Sequence, residues 1–157
     1  MSFRIEALPS DTLQNLFALS EQGLRAIGAQ RLVVEELNST PCRISLEDAV
    51  PGEPVILAPY IHQPARSPFY ASGPIFVRQG ARRADPAPGE VPRILRTRLI
   101  SLRAYDDADN MIDAEVVPGE QLAALIERYF ANPAARYLHA HFARRGCYAT
   151  RVARHGA

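Results

Sequence analysis

The stretch YLHAHFARRGCYATR, residues 137–151, decides how this chain folds. In its first six residues Leu138, Ala140 and Phe142 alternate with Tyr137, His139 and His141. A period of two is that of a β-strand, which sends one set to a core and the other to the opposite face. Arg144, Arg145 and Gly146 supply a turn, and residues 147–152 (CYATRV) resume as a second strand. Such a hairpin makes the pairing antiparallel. It also sets His139 and His141 on one face, with side chains about 7 Å apart along the strand. Whether Cys147 joins them depends on the register of the second strand.

Moving outward, residues 117–132 carry the strongest helical pattern. Pro118 suits a first turn, Glu120 favours the positive helix N-terminus, and Leu122, Leu125, Ile126 and Tyr129 form one apolar stripe. Asn132-Pro133 ends it. Residues 98–105 and 111–117 flank the turn DDADN at 106–110, which predicts a second hairpin. Toward the N-terminus, a strand is expected over 3–8. A helix capped by Ser10 or Asp11 should follow, with Leu13, Leu16, Phe17 and Leu24 on one face. Short β segments are predicted at 31–35, 42–46, 55–62 and 74–78, with Pro74 implying a sheet edge. Residues 79–91 (QGARRADPAPGEV) read as a mobile loop, Pro92 opens a helical turn, and 153–157 read as a frayed tail. Strands in runs, helices at two places and no βαβ rhythm define the class as α+β. The expected fold is a mostly antiparallel twisted sheet with an N-terminal helix and one longer helix before a C-terminal hairpin.

At 157 residues, 47% hydrophobic and 22% charged, residues 1–157 form a single globular domain. No run approaches the roughly 20 apolar residues of a membrane span. Glu6 and Pro9 interrupt the segment where a signal peptide needs an apolar core. Two cysteines make no disulfide framework, so the expected setting is a reducing cytoplasm. Every basic side chain is arginine, as a GC-rich genome favours, and the net charge of +1 gives no global pull toward nucleic acid. Arginines nevertheless cluster over 78–103 and 136–157, while acids cluster over 104–127.

Two same-face imidazoles with a thiol nearby resemble part of a zinc or copper ligand set, and His62 is the candidate that would complete it from afar. The same residues also suit an anion. Arg144, Arg145 and Gly146 in a turn offer guanidiniums and free N–H groups, and a histidine can move a proton. In the Pro-rich segment 62–78, Ser67, Tyr70, Ser72 and Arg78 add hydroxyls and a charge that can contact a ligand. No phosphate-binding glycine loop and no G-x-S-x-G is present. Asp113 and Glu115 read as a solvated strand face that balances arginines.

Together, PCRISLEDAVPGE, HQPARSPFYASGPIFVR, LRAYD, MIDAEVVPGEQLAALIERYF and YLHAHFARRGCYATRV resemble a bacterial family known as domain of unknown function 1203. The resemblance runs from Phe3 to Val152. His62, Ser67, Ser72, Arg78, His139, His141, Arg145, Gly146 and Cys147 lie in its motifs. It implies a stand-alone bacterial domain and brings no activity with it. The first expectation is a pocket that binds or transforms a small anionic or nucleotide-like ligand, with His62, His139 and His141 as catalytic groups. Ser67, Tyr70, Ser72, Arg78, Arg144 and Arg145 would hold the ligand. A protein- or nucleic-acid-interaction module and a transition-metal-binding domain are the alternatives. No cofactor, reaction or oligomeric state follows, and whether the chain is an enzyme is left open.

Overall fold

The computed structural model of the protein describes residues 2–156. In chain order its elements are strand β1 (Ser2–Glu6), helix α1 (Glu21–Ala26), strands β2 (Gln30–Val33), β3 (Pro54–Gln63) and β4 (Ala71–Arg78), and helix α2 (Arg93–Arg96). Strands β5 (Leu99–Tyr105) and β6 (Met111–Pro118), helix α3 (Leu122–Phe130), and strands β7 (Tyr137–Phe142) and β8 (Tyr148–His155) complete the chain. A five-stranded sheet runs β1-β8-β7-β5-β6 and a three-stranded sheet runs β2-β3-β4, with every pair antiparallel. The fold is α+β and ends in the expected hairpin.

The alternation in β7 explains the first core. Leu138 and Ala140 join Ile100 and Leu102 from β5, Phe3 and Ile5 from β1, and Val152 from β8. Helix α3 covers them with Leu122, Leu125, Ile126, Tyr129 and Phe130. Each fully buried Leu or Ile contributes about 2 kcal/mol, so this seam holds the helix to the sheet. The chain reaches α3 through Gly119, where an added Cβ would lie 1.7 Å from the Leu95 carbonyl oxygen. Only glycine permits that approach.

The other side of the large sheet meets a second core. Ile56, Ala58, Ile75 and Val77 of the small sheet cluster with Cys42, Ile44, Leu24 and Tyr148. Pro74 lies in β4, an edge strand of the small sheet, as a residue without an N–H requires. It sits opposite Pro59, past Leu57, the last β3 residue paired with β2.

Several local expectations are corrected. The single N-terminal helix is two pieces: a 3-10 turn over Gln14–Ala18 and α1, separated by the extended Leu19. The Ser20 hydroxyl accepts from the Gly23 N–H at 3.0 Å and restarts the helix, while Leu13 enters at φ 57. Leu16 and Leu24 are buried all the same. Residues 42–46 are no strand. Cys42 forms an isolated bridge to Phe76, and Leu46 turns the chain at φ 53. Residues 153–155, expected to fray, continue β8 because β1 pairs with them: Ser2 lies opposite His155 and Phe3 opposite Arg154. Residues 79–91 contain no helix or strand and are fastened at three points. The Ala84 N–H donates to the Ile44 carbonyl and the Gly89 N–H to the Phe3 carbonyl, both at 2.8 Å, and Arg83 donates to the Ala7 carbonyl.

Candidate metal centre

On β7 the face opposite the first core carries Tyr137, His139 and His141. Register sets their neighbours: His139 lies between Arg103 and Arg151, and His141 lies opposite Ser101 on one side and Tyr148 on the other. The β7–β8 pairing shifts between Ala140 and His141, so Ala149 is bulged. A bulge re-aims the side chains beside it. Here it turns Tyr148, and not Cys147, toward the imidazoles. The Tyr148 ring stacks on His62 at 5.3 Å and 7° and meets His139 and His141 edge-on at 5.3 and 5.8 Å.

His62 arrives from the other sheet. Ile61 pairs with Ser72 and Gln63 with Ala71, so His62 is the unpaired residue of a bulge at the end of β3. Its ring lies 6.2 Å from that of His139 and 5.0 Å from that of His141, and the latter two rings are 6.4 Å apart. One ring nitrogen from each histidine lies within 4.8 Å of the others. A tetrahedral ion with Zn–N bonds near 2.0–2.1 Å needs nitrogens about 3.3 Å apart, so small side-chain rotations bring the set into range.

The hydrogen bonding fits ligation. His141 Nδ1 donates to the Gly146 carbonyl at 2.9 Å, since a carbonyl can only accept, and this leaves a lone pair on Nε2. A hydrogen bond from the ring nitrogen that does not ligate fixes the tautomer of a metal-binding histidine. Gly146 has φ +83 and its N–H donates to the Phe142 carbonyl at 2.7 Å, so the turn that presents this oxygen favours glycine. His141 Nε2, His139 Nδ1 and His62 Nδ1 are buried with no hydrogen-bond partner. Such orphans are rare in folded proteins and call for an explanation.

Burial pushes His139 down to about 3, helped by His141, His62, Arg151 and Arg103. Burial also pushes His141 to about 3, against the opposing pull of the Gly146 carbonyl. His62 is lowered by burial and then by Arg103. All three rings are neutral at pH 7, the form that binds metals. Arg103 stands near all three and makes no ion pair among the described residues. Around them Gln63 donates to the Tyr137 hydroxyl at 3.0 Å, and that hydroxyl donates to Asp109 at 2.6 Å. The rings of Tyr105 and Tyr137 then pack on His139 at 5.0 and 5.4 Å.

Residues 39–154 match a family described as Protein of unknown function (DUF1203). The chain belongs to this family. All three histidines and the turn that orients His141 lie inside the matched DUF1203 segment, and β1 lies outside it. No curated protein and no solved structure matches the chain.

In this DUF1203 domain the residues expected around one ligand divide among several places. His62, His139 and His141 converge. Ser67 donates to the Asp109 carbonyl at 2.9 Å and so steadies the outer network. Tyr70 is 56% exposed, and Ser72 is an exposed residue of β4. Arg78 pairs with Glu53 at 2.9 Å, away from the imidazoles. Arg144, Arg145 and Cys147 line a different cavity. Many of the clustered arginines serve the fold: Arg83 and Arg96 hold backbone carbonyls, and Arg98 holds Asp48 at 2.7 Å. Glu115 pairs with Arg128, and Tyr129 reaches Asp113 at 3.4 Å, so these carboxylates tie β6 to α3.

Sequence spacing missed Arg103, Tyr105, Gln63 and Tyr148 near the site, and Arg43 beneath the turn. The strand alternation places Arg103 and Tyr105 on one face of β5. Nothing in the sequence says that this face meets β7 in register. Tyr148 was hidden by the bulge.

Proposed function

We propose that this DUF1203 domain binds one transition-metal ion through His62, His139 and His141 and leaves a position open for a small anionic ligand. The reading rests on one observation: the buried His139 and His141 and the half-buried His62 each keep a buried ring nitrogen without a partner, and the cluster fits within 4.8 Å. Burying an imidazole without a partner costs free energy, and a metal bond is the partner that three convergent lone pairs share. Three protein ligands leave a fourth site on a tetrahedral ion, as in catalytic centres. Arg103, a cation beside that ion, favours an anion there. Acid–base catalysis by the same rings at neutral pH is the weaker reading, because a general base works best with a pKa near the operating pH. Both cysteines are free thiols, which suits a reducing bacterial cytoplasm as the setting. No helix among the described residues is long and apolar enough to cross a membrane.

Elemental analysis of protein purified without a histidine tag, paired with Co(II) titration of the metal-free form, tests the proposal. The expected result is one ion per chain and visible Co(II) ligand-field bands that His139→Gln and His141→Gln abolish. Less than about a tenth of an ion per chain after loading with Zn(II) or Co(II) ends it.

A further inference from the structure

We propose a second binding site, independent of the histidines: the cavity beneath the β7–β8 turn takes a small organic oxyanion, a carboxylate or phosphate monoester carried on a flat apolar body. The cavity has a volume of about 460 Å³, and four guanidiniums line it, from Arg43, Arg98, Arg144 and Arg145. No Asp or Glu lines it. That volume is typical of a small-molecule site.

The central observation is Arg43. It is 1% exposed, one of the largest fully buried side chains in the protein, and it forms no ion pair among the described residues. Its Nε donates to the Tyr148 carbonyl at 2.8 Å and one terminal nitrogen donates to the Pro41 carbonyl at 2.5 Å. Carbonyl oxygens hold the guanidinium in place and do not neutralise it. Burial lowers Arg43 to about 10, partly offset by the charge interaction and hydrogen bond with the Cys147 sulfur and by Cys42, so it remains charged at pH 7. A buried cation with no carboxylate is costly unless an anion completes it.

The other groups give the expected ligand its shape. Arg144 and Arg145 are exposed at the rim and form no ion pair among the described residues, so their forks are free for an oxyanion. Arg98 is already engaged by Asp48 at 2.7 Å and supplies a wall more than a charge. Both Arg43 and Arg98 stack on the Phe142 ring, at 4.9 and 5.3 Å. Phe142, Phe76, Leu99 and Pro41 give the cavity an apolar wall beside the polar Asn38, Ser39 and Thr97, which suits a planar body behind the charged head.

Calorimetric titration with phenyl phosphate, benzoate and inorganic phosphate, on protein dialysed against a chelator, tests this site. Saturable binding of phenyl phosphate or benzoate is expected, and whichever binds more tightly identifies the head group. Arg144→Ala/Arg145→Ala should weaken it roughly tenfold or more, and because both side chains are exposed the thermal midpoint should not move. Four results overturn the proposal. One is no saturable binding of either probe up to about 10 mM. Another is an affinity unchanged in the double variant. A third is binding that needs a metal ion, which would move the anion to the histidine centre. The fourth is inorganic phosphate binding as tightly as phenyl phosphate, which would remove the apolar body from the assignment.

Discussion

The C-terminal hairpin buries polar groups on two sides, and it settles their cost in opposite ways. At the histidine cluster the buried groups have shed their charge: His139 and His141 are pushed down to about 3 and stand neutral. At Arg43 burial lowers the pKa only to about 10, and the charge stays. The difference lies in the starting point. Imidazole titrates near 6.5 and can lose its proton to escape desolvation, whereas guanidinium cannot do so at physiological pH. A neutral imidazole in a dry site is then suited to a cation, and a retained guanidinium to an anion. The turn between β7 and β8 serves both, since the Gly146 carbonyl orients His141 while Arg144 and Arg145 line the neighbouring cavity.

Acid should strike the first region hardest. The folded histidines sit at about 3 and the unfolded ones near 6.5, so between those values the unfolded chain holds more protons and stability falls as pH falls. The contribution is complete above pH 6.5 and is lost progressively toward pH 3. For the metal-free protein the loss at pH 5 should reach about 2 kcal/mol for each of the two residues, read from urea unfolding. His139→Gln should roughly halve the slope. A flat profile between pH 6.5 and 4 would break the contrast at its root.

Removing charge should strike the second region next. Arg43→Met keeps most of the packing and deletes the donors to the Tyr148 and Pro41 carbonyls. Unfolding experiments at pH 7 should show a loss of about 2 kcal/mol from the stranded acceptors. The loss should not grow between pH 7 and 8, because Arg43 stays charged across that range. If Arg43→Met instead stabilises the protein, the buried charge is a liability of the fold without a compensating partner.

The smallest effect probes the link between the two regions. Gly146→Ala places a side chain at φ +83 and should cost about 1 kcal/mol. It should also weaken Zn(II) binding roughly tenfold, as loss of a bond that orients a ligand does, measured by competition with a chromophoric chelator. Unchanged zinc affinity would mean that the Gly146 carbonyl caps His141 without directing it.

How much of this was legible in the sequence depends on the range of the interaction. The alternation over 137–142 placed His139 and His141 on one face, because that periodicity is local. The hairpins at 98–117 and 137–152 and the stripe of α3 were legible for the same reason. The scarcity of histidine singled out His62, and the structure brings its ring to 5.0 Å from that of His141. The N-terminal helix misled because Leu13, Leu16 and Leu24 keep their apolar spacing across a break made by the Ser20 cap. Arg43 was invisible. Residues 42–46 carry a strand-like pattern, and nothing in them announces that a charged side chain enters the interior.

The sequence by itself determined the composition of each face: which side chains alternate, where turns and caps fall, and which residue types can ligate or hold charge. These follow from periodicities of two and 3.6 residues and from side-chain chemistry, all within a few positions of one another. The tertiary structure alone decided that the histidine face is buried, because that requires a second sheet whose β3 bulge delivers His62. It alone placed the β8 bulge that sends Tyr148 toward the imidazoles and leaves Cys147 beside Arg43. Burial, register and the resulting pKa shifts depend on contacts between distant segments, here residues 62 and 139 or 43 and 148, and no local pattern encodes how such segments meet.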